Sequence, residues 1–296
     1  MRIGVGLPAA IPGVSGSAVG HWASAAEQQG FSSVGVIDRL IYDNLDPLVA
    51  LAVAAASTEH VELLTTVLNV PWRRNAIVLA KQLASLDHVS DGRLTAGLGL
   101  GGWPHDHEAV GPSPRSTGAL MDEILATMLR VWAGALSGAS GPIPATPAGR
   151  PRLLFGGMAP ESFARASRYG DGWVAPSFGY DALVAGIDSA RAAWRNARRS
   201  GQPRIVVERY FCFGPDAAGT SDHYLAHYYG AEYLPAVRAD TPTSHEHLDR
   251  ELRRLADAGA DDVVFLPCES DVGQVELLRD ALGAVGMGDA EKRFVA

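Results

Sequence analysis

Eight short apolar runs, spread along the whole chain and separated by stretches of helical period, constrain this sequence more than any other feature. They are 2–7 (RIGVGL), 32–37 (SSVGVI), 61–67 (VELLTTV), 93–100 (RLTAGLGL), 152–157 (RLLFGG), 172–176 (GWVAP), 204–213 (RIVVERYFCF) and 262–267 (DVVFLP). Each is nearly continuous in apolar residues rather than alternating, the pattern of parallel strands covered on both faces. Between them apolar residues recur at helical spacing. Val19, Trp22, Ala23, Ala26 and Gly30 form one stripe, and Ala76, Leu79, Ala80, Leu83 and Leu86 another.

Eight strand–helix units in 296 residues fit an α/β fold of the closed (β/α)8 or TIM-barrel type, whose usual size is about 250 residues. We read residues 1–296 as one such domain with loop insertions at about 134–151 and 214–243. The Gly- and Pro-rich stretch 134–151 is too short to be a hinge between domains and reads as a loop beneath the barrel. Local signals agree with the helices. Asp46-Pro47 predicts an N-cap followed by proline at the first helical position, and Thr243 to Glu246 has capping-box spacing. Gly30, Gly170, Gly201 and Gly259 mark four predicted helix ends.

Charge and composition exclude several classes. A net charge of -8 leaves no electrostatic footprint for nucleic acid or an anionic membrane. Glycines and prolines interrupt residues 1–16, which therefore read as a strand and its loop, not a signal peptide. No uninterrupted apolar stretch is long enough for a membrane span. Cys212 and Cys268 lie far apart in sequence without metal-ligand spacing, and read as reduced structural thiols of a cytoplasmic protein.

Gly97, Gly99 and Gly102 have the G-x-G-x-x-G spacing of a dinucleotide-binding turn. That reading needs a helix opening inside the motif. Here a segment with three prolines follows, and the next predicted helix starts near Ser116. In a barrel these glycines fall at the carboxyl end of the fourth strand, on the active-site face. Without Cβ atoms they would let a flat ring approach the backbone, or they form a plain glycine-rich turn.

The segments 27–38, 46–68, 79–103, 153–176 and 259–268 together resemble the bacterial luciferase-like flavin-dependent oxidoreductases over nearly the whole chain. The resemblance implies the barrel already argued, with a reduced flavin or its deazaflavin relative, coenzyme F420, across the strand ends. It also implies a homodimer and, for a reduced coenzyme, a separate flavin or F420 reductase as partner. Asp38 matches the family position beside the ring; the other reading is a loop cap. Several relatives carry a catalytic histidine after this acid, where this chain has Arg39, and an acid near the strand-four glycines, where Gly102 stands. Arginine stays charged and cannot serve as a proton-transfer base at neutral pH. It would hold an anion, or form a surface ion pair. Thr66-Val67 resembles the family's strand-three bulge, and a cis peptide is predicted there. Gly99 and Gly101 would face the ring.

Gly156, Gly157 and Met158 precede a predicted helix and present backbone N–H groups at its start, a seat for the coenzyme phosphate or simply a turn. His105 and His107 point the same way if extended. No third ligand follows, so we expect no metal and take them as candidate proton-transfer groups or solvated loop residues. The aromatic stretch 223–237 would either wall the entrance or pack a helix or subunit contact. The function expected is a monooxygenase using reduced FMN and oxygen on a small organic substrate. The alternatives are F420-dependent hydride transfer and a non-catalytic flavin-binding or partner subunit.

Overall fold

The computed structural model describes residues 1–111, 116–138, 141–143 and 146–286. Eight parallel strands close into a barrel in chain order: β1 Arg2–Gly6, β2 Ser33–Val36, β3 Glu62–Asn69, β4 Leu94–Gly99, β5 Arg152–Gly156, β6 Gly172–Val174, β7 Arg204–Phe211 and β8 Asp262–Pro267. Each falls on one of the predicted runs. Closure is made by β1 against β8, with Arg2 opposite Asp262 and Val5 opposite Phe265.

The helices are α1 Gly16–Gln28, α2 Pro47–Ser57, α3 Ala76–Val89, α4 Pro104–Ala109, α5 Thr117–Trp132, α6 Pro160–Tyr169, α7 Tyr180–Asn196, α8 Ala217–Tyr229, α9 Leu234–Ala239, α10 His245–Ala258 and α11 Gly273–Ala284. The Val19, Trp22, Ala23 and Ala26 stripe is the buried face of α1, with Gly30 just beyond its end at φ 78°. Asp46 caps α2 as expected, accepting hydrogen bonds from the backbone N–H of Leu48 and Val49.

Four local expectations are corrected. The cap of α10 is Ser244, not Thr243, so its bond goes to the His247 N–H. Helix α7 ends at Asn196, several residues before Gly201. Residues 214–243 are not a plain loop: they hold α8 and α9, because Ala217, Ser221, Tyr224, Leu225 and Tyr228 make a buried helical stripe. The stretch 134–151 contains the paired two-residue strands Ser137–Gly138 and Gly141–Pro142 at the amino-terminal side of β5; residues 139, 140, 144 and 145 fall outside the described ones.

The barrel interior changes character along its axis. At the amino-terminal end Glu62 is buried under Arg204, which reaches its two oxygens at 2.7 and 2.8 Å and also holds Asp262 at 2.9 Å. Above this ionic floor lies an apolar layer that includes Leu64, Leu154, Val174, Val206 and Val264. The carboxyl-terminal end is left open, and there the interior becomes a cavity.

Candidate active site

The cavity holds about 410 Å³, within the usual range for small-molecule sites. One wall is the end of β3, where the pairing register with β4 shifts between Thr65 and Leu68 and the Thr66–Val67 peptide is cis. Val67 packs between two neighbouring strands. A Cβ on Gly99 would collide with its Cγ2, and a Cβ on Gly156 would lie 2.8 Å from its Cγ1. Gly101, at φ 80°, faces the Trp72 ring in the same way, at 2.7 Å. These glycines therefore make room for protein side chains at the cavity wall. Gly102 alone of the four has open space beside it.

The opposite rim is the turn from β5 into α6. Gly157 adopts φ 107°, and its carbonyl accepts a hydrogen bond from Trp173 Nε1 at 3.0 Å, which fixes the turn. Ala159 at the N-cap offers no side chain to cap α6. The first N–H groups of a ten-residue helix thus face the cavity rim beside Ser162, the arrangement that binds phosphate.

Deep between these walls lies Glu208, in the middle of β7. Period two puts Val206, Glu208 and Tyr210 inside the barrel and Val207, Arg209 and Phe211 outside. Ser177 Oγ donates to Glu208 Oε2 at 2.9 Å, while Oε1 is buried at the cavity wall with no hydrogen-bond partner. Burial pushes the carboxyl from 4.5 up to about 7, against the opposing influence of the Thr66 and Ser177 hydroxyls and the Arg209 charge. Tyr229 carries the polar line onward, its hydroxyl 3.1 Å from that of Tyr210. Tyr228, Tyr229 and Trp103 close the side of the cavity as an aromatic wall, with Trp103 edge-on to Tyr228 at 5.4 Å.

Asp38 lies at the cavity edge, yet both its oxygens are engaged by the protein. Oδ2 accepts from the Asn69 N–H at 2.8 Å, and Oδ1 faces Arg73 at 3.4 Å. Burial holds its carboxyl at about 6, above the usual 3.8, against the pull of Arg73. Arg39 is turned away from the cavity. Its Nε donates to Asp106 Oδ2 at 2.7 Å, and its guanidinium sits 4.1 Å from the Trp103 ring centroid and 5.4 Å from that of Tyr228. His107 accepts at Nδ1 from Trp72 Nε1 at 3.3 Å, so Nε2 carries the proton and donates to the Gly101 carbonyl at 3.1 Å. His105 is exposed and faces Glu108 at 3.5 Å.

Residues 1–285 match the luciferase-like monooxygenase family. The chain belongs to that family. An uncharacterized protein of Mycobacterium tuberculosis is 31% identical over 177 residues, 55% of this chain and 61% of that protein's length. F420-dependent glucose-6-phosphate dehydrogenase of Beutenbergia cavernae is 28% identical over 262 residues, covering 79% of this chain and 73% of that one. Among solved structures, the monooxygenase RslO1 from Streptomyces bottropensis superposes with a TM-score of 0.77 at 21% identity, over 97% of this chain and 99% of that one. That last likeness is one of fold.

For a luciferase-like chain the sequence located the cavity well and its chemistry less well. Asp38, Thr66, Val67, Gly99, Gly101, Gly156, Gly157 and Met158 all line it. Arg39, His105 and His107 do not. The two histidines diverge because residues 104–109 form α4, with Pro104 at its first turn, instead of an extended loop. An acid does stand near the strand-four glycines, but it is Asp106, committed to Arg39 and to the N–H groups of Leu40 and Ile41. Among the described residues no group of side chains has the makings of a metal site. In the stretch 223–237 Tyr228 and Tyr229 wall the cavity, while Tyr224 and Tyr228 pack the buried face of α8, so the wall and the helix-packing readings both hold; Ile11 and Pro12 line a separate cavity beside His223 and His227. Residues 39–45 contribute nothing to the main cavity, and 112–115 fall outside the described residues. Ser177 falls in the loop 177–180 read as pocket-forming, whereas Glu208, Asn69, Ser162 and Tyr210 were missed. A carboxylate inside the apolar run 204–213 was the available signal for Glu208. Cys212 and Cys268 end adjacent strands, one step beyond the Phe211–Pro267 pair, and both are free and buried.

Proposed function

We propose that this chain is an oxidoreductase that works with coenzyme F420, its deazaflavin ring lying against Val67 and its phosphate at the start of α6. One observation carries the reading: a single cavity joins an apolar shelf at Val67, an uncapped helix start at Ala159 and a buried, near-neutral carboxyl at Glu208. A flat ring with a phosphate tail and a polar edge fits that set of surfaces. Support for F420 comes from the relative named for it that is matched over 79% of this chain. When bound, the coenzyme would supply hydride transfer to or from a carbon of a small organic substrate.

The chain's own residues supply everything else. Val67 holds the ring face, and the backbone N–H groups at Gly157 to Ala159 hold the phosphate. The aromatic wall of Trp103, Tyr228 and Tyr229 keeps water from the reacting edge. That same wall favours a second reading, reduced FMN with oxygen, because an oxygen-transferring site depends on water exclusion. A separate F420 or flavin reductase would then return the coenzyme to its reduced form.

We also propose a homodimer. Val49, Ile77, Val78 and Val89 are all at least half exposed on α2 and α3, an apolar face suited to a second copy.

The deciding experiment adds F420 and FMN separately to the purified chain, each in its oxidised and in its pre-reduced form, and follows the coenzyme's absorbance and fluorescence. Saturable F420 binding, with reduction on adding an oxidisable substrate, is the expected result. Binding of FMN alone overturns the F420 reading. Binding without any redox change over a panel of alcohols and in air identifies a carrier or partner subunit instead.

A further inference from the structure

Glu208 lines the cavity, and its Oε1 is a buried acceptor to which none of the described residues hydrogen-bonds. Such an atom is costly unless something supplies it with a donor. Its partner oxygen is taken by Ser177 at 2.9 Å. Behind Ser177 the hydroxyls of Tyr229 and Tyr210 continue the same polar line, 3.1 Å apart.

We infer that Glu208 is the group that binds the donor-bearing edge of the coenzyme ring, its Oε1 accepting one N–H or O–H hydrogen bond from that ring. The assignment rests on the coenzyme reading above and specifies one contact within it. Flavin and deazaflavin rings both carry an N–H on the pyrimidine side, and the deazaflavin adds a phenolic hydroxyl at the other end. Either donor meets the requirement of Oε1. The backbone contacts at Gly157 to Ala159 serve the phosphate end of the same molecule, so the two ends of the cavity recognise the two ends of one ligand.

A proton accompanies this contact. Burial leaves the carboxyl with a near-neutral affinity for its proton. A ring donor stabilises the ionised form, so binding drives the proton off Oε1 into solvent. The groups facing Glu208 are Thr66 from β3, Ser177 after β6, Tyr210 on β7, and Tyr228 and Tyr229 on α8, with the Arg209 charge behind the strand. Burial raises all three tyrosines above their usual range, so they stay protonated at neutral pH, and of the groups facing it Glu208 is the one that exchanges the proton.

The test measures protons released on binding oxidised F420, and separately FMN, in weakly buffered solution with a pH-indicator dye. At pH 7 the wild-type chain should release about half a proton per coenzyme bound. Glu208→Gln, which keeps the shape but has no proton to lose, should release none and bind at least about 10-fold more weakly. Ser177→Ala keeps the acceptor but removes its supporting donor, so its release should persist with a midpoint moved to higher pH. Equal proton release by the wild type and Glu208→Gln, with both binding coenzyme, overturns this assignment alone. Absence of binding by the wild type to both coenzymes overturns the coenzyme reading and this contact with it.

Discussion

Arg39 and Asp106 form a buried ion pair that joins the loop after β2 to α4, with Arg39 Nε 2.7 Å from Asp106 Oδ2. Burial alone would raise the Asp106 carboxyl. The Arg39 hydrogen bond and the N–H groups of Ile41 and Leu40 outweigh it, and the group stands below its usual value. The pair is a brace for the aromatic wall, because the same guanidinium packs on Trp103 and Tyr228. Arg39 is thus a structural cation, held between Asp106 and the aromatic wall.

Arg39→Met should therefore cost stability, by about 3 kcal/mol, because it strands a buried carboxylate. It should weaken coenzyme binding without altering the pH dependence of proton release. Urea denaturation and a binding titration over pH measure the two effects. A variant as stable as the wild type would show that the pair braces nothing.

The glycines of β4 and β5 give a second, sharper expectation. Gly99→Ala places a methyl into Val67 Cγ2, and Gly156→Ala places one 2.8 Å from Cγ1. Overpacking of this kind costs about 1–3 kcal/mol. Combining either with Val67→Ala should restore much of the lost stability, since the clash is with that side chain. Coenzyme affinity should stay low in the double variants, because the shelf under the ring is gone. If Val67→Ala fails to rescue Gly99→Ala, the glycine serves another contact.

How much of this was legible follows from the range of each signal. The strands were readable because burial on both faces writes apolar runs directly into the sequence. Residues lining the cavity from strand ends were readable too, since the barrel gathers all such ends at one face. Helix α4 was not, because Pro104 looks like a breaker although proline is at home in the first turn. Arg39 could not announce its partner, which lies 67 residues away. Nor could a continuous apolar run reveal which of Glu208 and Arg209 points inward. That depends on strand register, set by pairing Val264 with Glu208 on β8.

The ionic floor should behave as structure with no part in the chemistry. Burial raises the Glu62 carboxyl, but the hydrogen bonds and charge of Arg204 pull it below its usual 4.5 overall. Its contribution is thus present above that pH and fades as pH falls through the lowered value. Glu62→Gln should lose about 3 kcal/mol at neutral pH, much less in acid, and leave coenzyme affinity unchanged. Denaturation curves at two pH values, with one binding titration, separate these outcomes. A loss of affinity would connect the floor to the site.

The exposed apolar face gives an expectation in solution. Val78→Asp, alone or with Val49→Asp, introduces a charge on the α2–α3 surface, where both valines are half exposed or more. Each should shift the sedimentation coefficient from that of a dimer to that of a monomer while the melting temperature of the barrel changes little. A wild-type chain that sediments as a monomer at micromolar concentration removes the proposal.

Glu208 finally predicts an unusual pH dependence of stability. Its carboxyl titrates at about 7 in the folded chain against 4.5 when ordinary. The folded state therefore holds the proton where the unfolded state has already released it. Stability from this group is full below about 4.5, falls as pH rises, and is gone above about 7. The loss amounts to about 3 kcal/mol for the fully buried carboxyl, a large part of a typical domain's margin. Asp38, held at about 6, adds a fall of the same sign at lower pH, so the raw curve mixes the two. The difference between wild type and Glu208→Gln isolates one of them. In urea titrations from pH 4 to 9, about the span in which both carboxyls change charge, that difference should slope downward and level off near neutrality. A flat difference would mean that Glu208 is ionised throughout, in which case the unbonded oxygen is a carboxylate already satisfied by water.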